Sequence, residues 1–149
     1  MSDQYVFDTE AIIAYLYDEP GRNVVERFLG DVRDGTVDGL LAETNAGEVL
    51  YLVARFEGID DEPTMDSLRT ADRDLRALER WGIHIERADW RLAAEVKADG
   101  HISFADAHGV ALAHETDATL VAGGDDDFET LPIDVDVVRF REEGVYSNH

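Results

Sequence analysis

Short apolar runs alternate with stretches of helical periodicity along the whole of this chain, and that alternation restricts it to an α/β architecture. Tyr5-Val6-Phe7 reads as a first buried strand. Asp8-Thr9 then caps a short helix reaching Tyr15-Leu16, which Asp18-Glu19-Pro20-Gly21 stops, and a second helix covers about 23–32. A second strand is expected at 37–41. In the helix from 45 to about 56, Val49, Leu52, Val53 and Phe56 recur at steps of three and four, so that one face is apolar. A longer helix from about 62 to 81 turns Leu68, Leu75 and Leu78 inward and ends at Gly82. Ile83-His84-Ile85 is a third strand, followed by helices at 90–97 and 104–114 and by strands at 118–121 and 135–138. Short strands separated by helices predict a three-layer α/β/α domain over 1–149, with a central, mainly parallel sheet of about five strands. Residues 139–149 are polar and short, and suit either a flexible tail or a segment that meets a partner.

Composition removes several kinds of chemistry. The chain has 149 residues and no cysteine, which excludes disulfides, thiolate metal sites and cysteine nucleophiles and suits a reducing compartment. It shows no signal-like start and no apolar stretch long enough to cross a bilayer, so a cytoplasmic protein with no membrane contact is expected. The formal charge is −21, and Lys97 is the only lysine among 13 basic residues. Acids spread through the sequence, rather than grouped in a calcium-loop spacing, point to a salt-loving source in which screening relieves the repulsion. High salt also weakens the counterion-release contribution to nucleic-acid binding, so the lack of a basic patch does not exclude RNA.

Four acids stand where strands or helices meet their polar ends: Asp8, Glu48, Asp106 and Asp125. In a parallel sheet the carboxyl ends of all strands share one edge, where sites form. Taken singly, each acid fits an ordinary local role. Asn45-Ala46-Gly47-Glu48 and Ser103-Phe104-Ala105-Asp106 match capping boxes, Asp8 matches a helix cap and Asp125 a turn. Taken together, carboxylates at one edge repel one another unless cations bind there, and hard oxygen donors favour magnesium or manganese over zinc.

The motifs around these acids resemble those of the PIN domain family. Phe7-Asp8-Thr9 with Ala14-Tyr15-Leu16 resembles its first motif, 45–51 its second, 102–107 its third and 120–128 its fourth, in order along nearly the whole chain. The length resembles a VapC-type toxin of a toxin–antitoxin pair. That resemblance implies a ribonuclease using Mg2+ or Mn2+, in which a metal-bound water attacks phosphorus, together with a cognate antitoxin and a homodimer. It also implies Asp8 and Asp106 as principal ligands, Glu48 and Asp125 as further ligands or water-placing acids, and supporting roles for Thr9, Ser103 and Asp127, although for the Thr9 and Ser103 hydroxyls a helix cap is the simpler role. Asp126 is the alternative to Asp125 as fourth acid. The sequence departs from the family at Gly123, where a Thr or Ser is usual two residues before that acid.

Two other functions compete with the nuclease. Gly123 motivates a non-catalytic PIN-like module retained for protein contacts. An aspartyl-phosphate enzyme built on Asp8 is disfavoured, because position 10 is Glu10 rather than a second Asp and Lys97 precedes no suitable strand. His84, His101, His108, His114 and His149 form no metal-binding pair with these acids, and His108 is read as structural. Trp81 and Trp90 are read as packing residues, and Arg22 and Arg55 as solvated surface.

Overall fold

Side-chain alternation along the strands decides the layering. In β1 (Gln4–Phe7), Tyr5 and Phe7 point to one face and Val6 to the other. The same division holds in β2 (Asp38–Ala42), with Leu41 opposed to Leu40 and Ala42, and in β4 (Thr119–Ala122), with Val121 opposed to Leu120 and Ala122. Strands apolar on both faces need cover on both. In the computed structural model, which describes residues 3–123, 128 and 130–141, helices supply it on each side.

β3 (Ile83–Glu86) and β5 (Asp136–Arg139) complete a sheet of order β3-β2-β1-β4-β5, in which every pairing is parallel. Val6 pairs with Leu40 on one side and Leu120 on the other, so β1 is central. One face carries α1 (Thr9–Leu16), α2 (Arg22–Arg33), α3 (Glu43–Phe56) and α4 (Met65–Trp81). The opposite face carries α5 (Trp90–Asp99) and α6 (Phe104–Thr116). The expected three-layer arrangement is therefore observed. None of the described helices is long and apolar enough to cross a membrane.

Several boundaries differ from expectation for identifiable reasons. α3 begins at Glu43, straight out of β2, so Asn45 lies inside the first turn and is not its cap. α4 begins only at Met65. The capping box of Thr64 and Ser67 starts it, after a tight turn in which Asp60 and Asp61 take positive φ and Ile59 bridges Glu62. The segment expected to be a tail starts as folded chain: Arg139 ends β5 and Phe140 is fully buried, while 142–149 lie outside the described residues. Trp81 packs edge-on against Tyr15 at 5.9 Å, but Trp90 and Phe104, each the first residue of its helix, are exposed. The guanidinium groups of Arg22 and Arg55 are engaged locally, Arg22 with the Tyr15 carbonyl and Glu26, Arg55 with Asp61.

Gly82 ends α4 with φ of 118° and turns the chain into β3. A side chain there would be strained in the left-handed region and would crowd Val32 at 3.2 Å. Gly82→Ala is expected to lower stability by about 1–3 kcal/mol in urea denaturation without changing the fold.

Candidate functional site

Asp8 leaves β1 at the carboxyl edge of the sheet, its own N–H donating to the Val121 carbonyl at 3.0 Å. From there it caps α1. Its Oδ1 accepts from the Ala11 N–H at 2.7 Å, and its Oδ2 accepts from the Gly123 N–H at 3.2 Å, just beyond β4. The carboxylate is 1% exposed. Burial pushes its pKa up to about 8; the two backbone N–H groups pull it down, and the charges of Asp106 and Glu10 add to the rise.

Asp106 enters the same space from the first turn of α6. Ser103 caps that helix by accepting the Asp106 N–H at 3.1 Å, as the capping pattern in the sequence suggested. Partial burial raises the Asp106 pKa to about 6; the Ser103 hydroxyl and N–H oppose this rise, and the negative charges of Glu10 and Glu48 reinforce it. Glu48, half-buried on α3, is thus electrostatically coupled to Asp106. Asp125, Asp126 and Asp127 lie outside the described residues.

What brings the three helix starts together is Asn45, fully buried on α3. Its Nδ2 donates to Thr9 Oγ1 on α1 at 3.0 Å and to the Ala105 carbonyl on α6 at 3.2 Å. The Thr9 hydroxyl is therefore an acceptor in this brace, and the Ser103 hydroxyl a cap. Asn45 had been readable only as a capping residue; nothing in its spacing announces a contact with residues 36 and 60 positions away. Glu10 is the other residue not anticipated. Two positions after Asp8 on a helix should face elsewhere, yet its charge reaches both Asp8 and Asp106. His108 is structural, as expected: it is buried, and its Nδ1–H donates to the Phe104 carbonyl at 2.8 Å.

The donors gathered here are oxygens only, suited to magnesium or manganese. Among the described residues no three acids close around a single point, and Asp8 and Asp106 are the two that could share a cation. A divalent ion would offset the charge that burial makes costly at both.

That cost has a definite sign. A carboxyl group that holds its proton more tightly when folded stabilises the protein at low pH. It loses that contribution as pH rises from the unfolded value of 3.8 to about 6 for Asp106 and about 8 for Asp8. In chelator, Asp106→Asn is expected to melt a few degrees above the parent at pH 7.5, the gap narrowing toward pH 4.5 in thermal denaturation followed by circular dichroism.

The family described as PIN domain matches residues 5–133. No curated protein matches the sequence. Among solved structures, VapBC2 from Rickettsia felis, bound to a DNA fragment from its promoter, is similar over 91% of this chain and 98% of its own, with a TM-score of 0.66 and 12% identity. DNA-bound VapBC from Salmonella typhimurium is similar over 94% and 99%, with a TM-score of 0.63 and 13% identity. FitAcB from Neisseria gonorrhoeae covers 91% and 97%, with a TM-score of 0.61 and 16% identity. At such identities the likeness is one of fold, whereas the family match spans most of the sequence: this chain belongs to the PIN domain family.

Proposed function

We propose that the protein is a divalent-metal-dependent endoribonuclease and the toxin of a toxin–antitoxin pair. The observation that carries this reading is the pairing of two carboxylates, Asp8 and Asp106, at the carboxyl edge of a PIN-type sheet, where both are held at an electrostatic cost that a cation would remove. Resemblance to the VapBC and FitAcB assemblies supports a cognate antitoxin as partner, and a homodimer and cytoplasmic location accompany that reading.

In this proposal Asp8 and Asp106 are the principal ligands of Mg2+ or Mn2+, and Glu48 and Asp125 place water or complete the ligand set. The ion supplies activation of water and neutralisation of the charge that develops on the phosphodiester. The chain supplies position. Backbone amides of Ala11 and Gly123 fix both oxygens of Asp8, the Ser103 cap fixes Asp106, and Asn45 keeps α1, α3 and α6 in register. The starts of α1 and α6 direct their positive ends toward the acids, which favours ionised carboxylates once a cation is present.

Purified chain freed of any partner is expected to cleave structured RNA with manganese or magnesium in high salt, and Asp106→Asn to lower cleavage by at least about a hundredfold. Equal cleavage by that variant would sink the mechanism. Gly123, in place of the hydroxyl usual in the family, favours one second reading, a catalytically weak or inactive protein-binding module; a folded parent chain inactive with both metals on several RNAs in high salt would favour it.

Because metal displaces protons from Asp8 and Asp106, manganese is expected to raise the melting temperature more at pH 8 than at pH 5.5. A shift independent of pH would place the bound ion away from these two acids.

A further inference from the structure

The position where this sequence departs from its family has a structural counterpart. A Cβ added to Gly123 would overlap Glu10 Oε2 and lie 3.0 Å from Glu10 Cδ and 3.1 Å from Arg141 Nη1. The volume that a Ser or Thr side chain would fill is thus taken by a carboxylate from α1. Because the Gly123 N–H donates to Asp8 Oδ2, that carboxylate stands directly beside the most buried acid of the pocket.

Glu10 is held there from the far end of the chain. Arg141 Nη1 donates to Glu10 Oε2 at 2.7 Å and Nη2 to Glu19 Oε1 at 3.2 Å. The backbone bearing Arg141 is fixed in turn by Phe140, which is fully buried, and by its close passage over Gly21. A Cβ at Gly21 would lie 2.6 Å from the Phe140 ring and 3.1 Å from Arg141 Cα. Glu10 is 51% exposed, and ion pairs at such exposure add little stability. Stabilisation therefore does not account for an arrangement that needs open space at two glycines.

We propose that Glu10 is a positioning carboxylate of the metal pocket, standing in the volume left by Gly123 and fixed by Arg141, where it takes over the task of the missing hydroxyl. This rests on the metal-nuclease reading above. The task is to accept hydrogen bonds from water on the bound cation and to orient it against Asp8 and Asp106. A carboxylate does this with a full negative charge where a hydroxyl offers a dipole, and Arg141 offsets part of the added repulsion.

The test is calorimetric titration of the full chain with manganese alone, alongside thermal melts in chelator. Asp106→Asn identifies binding at the pocket. Glu10→Gln, which keeps the shape and removes the charge, is expected to weaken manganese binding about tenfold with little change in melting temperature. Gly123→Ser is expected to weaken it as well, because the new side chain collides with Glu10. Glu10→Ala combined with Gly123→Ser should restore binding to within a few-fold of the parent, since the hydroxyl then has room. Parental affinity in Glu10→Gln, with binding lost in Asp106→Asn, would overturn the role of Glu10 and leave the metal reading intact. A double variant that binds no better than Gly123→Ser would overturn the exchange of carboxylate for hydroxyl. No manganese binding by the parent chain would overturn both readings.

Discussion

Gathering negative charge at one edge of a sheet is the constraint around which the rest of this molecule is arranged. Asp8 has almost no access to water, and its two backbone hydrogen bonds do not offset the loss of hydration. The surroundings make the arrangement possible in several ways. Helix starts present N–H groups, Asn45 locks the helices that carry the acids, and the Arg141 guanidinium, two residues beyond β5, bridges Glu10 on α1 and Glu19 after it. Without these fixed contacts the acids would separate, since nothing in their mutual electrostatics holds them together.

The sheet and its helices were legible because their signals are local. Tyr5-Val6-Phe7, the stop at Gly82 and the period of Val49 and Val53 each follow from a few neighbouring residues, and the observed elements agree with them to within a few positions. The starts of α3 and α4 were misplaced because local capping chemistry was read where tertiary demands prevailed. Asn45 looked like a cap and is a brace, and the helix expected from Glu62 waits for Thr64. Asp8 and Asp106 were legible as acids at element ends, and their joining is a consequence of parallel topology.

Glu10 and Arg141 were not legible. A helix places residues two apart on different faces, so Glu10 carried no pattern linking it to Asp8, and Arg141 lay in a segment whose polarity suggested a tail. Both depend on space, and empty space leaves its trace only as glycine. In the sequence Gly123 shows only as a missing hydroxyl; that it makes room for another side chain follows from the three-dimensional fold. The identity of the fourth acid among Asp125, Asp126 and Asp127 lies beyond the described residues and stays as the motif order suggested.

The ion pair between Glu10 and Arg141 spans 131 positions, and the contact of Asp8 with Gly123 spans 115. Contacts of such separation carry a closure-entropy cost for the intervening chain and need both partners to exist. During synthesis, Asp8 leaves the ribosome long before Gly123 and Arg141 exist. A growing chain therefore carries its first acids through translation without the amide that fixes Asp8 or the guanidinium that restrains Glu10. On the ribonuclease function proposed above, the pocket stays incomplete until the chain beyond β4 has been made.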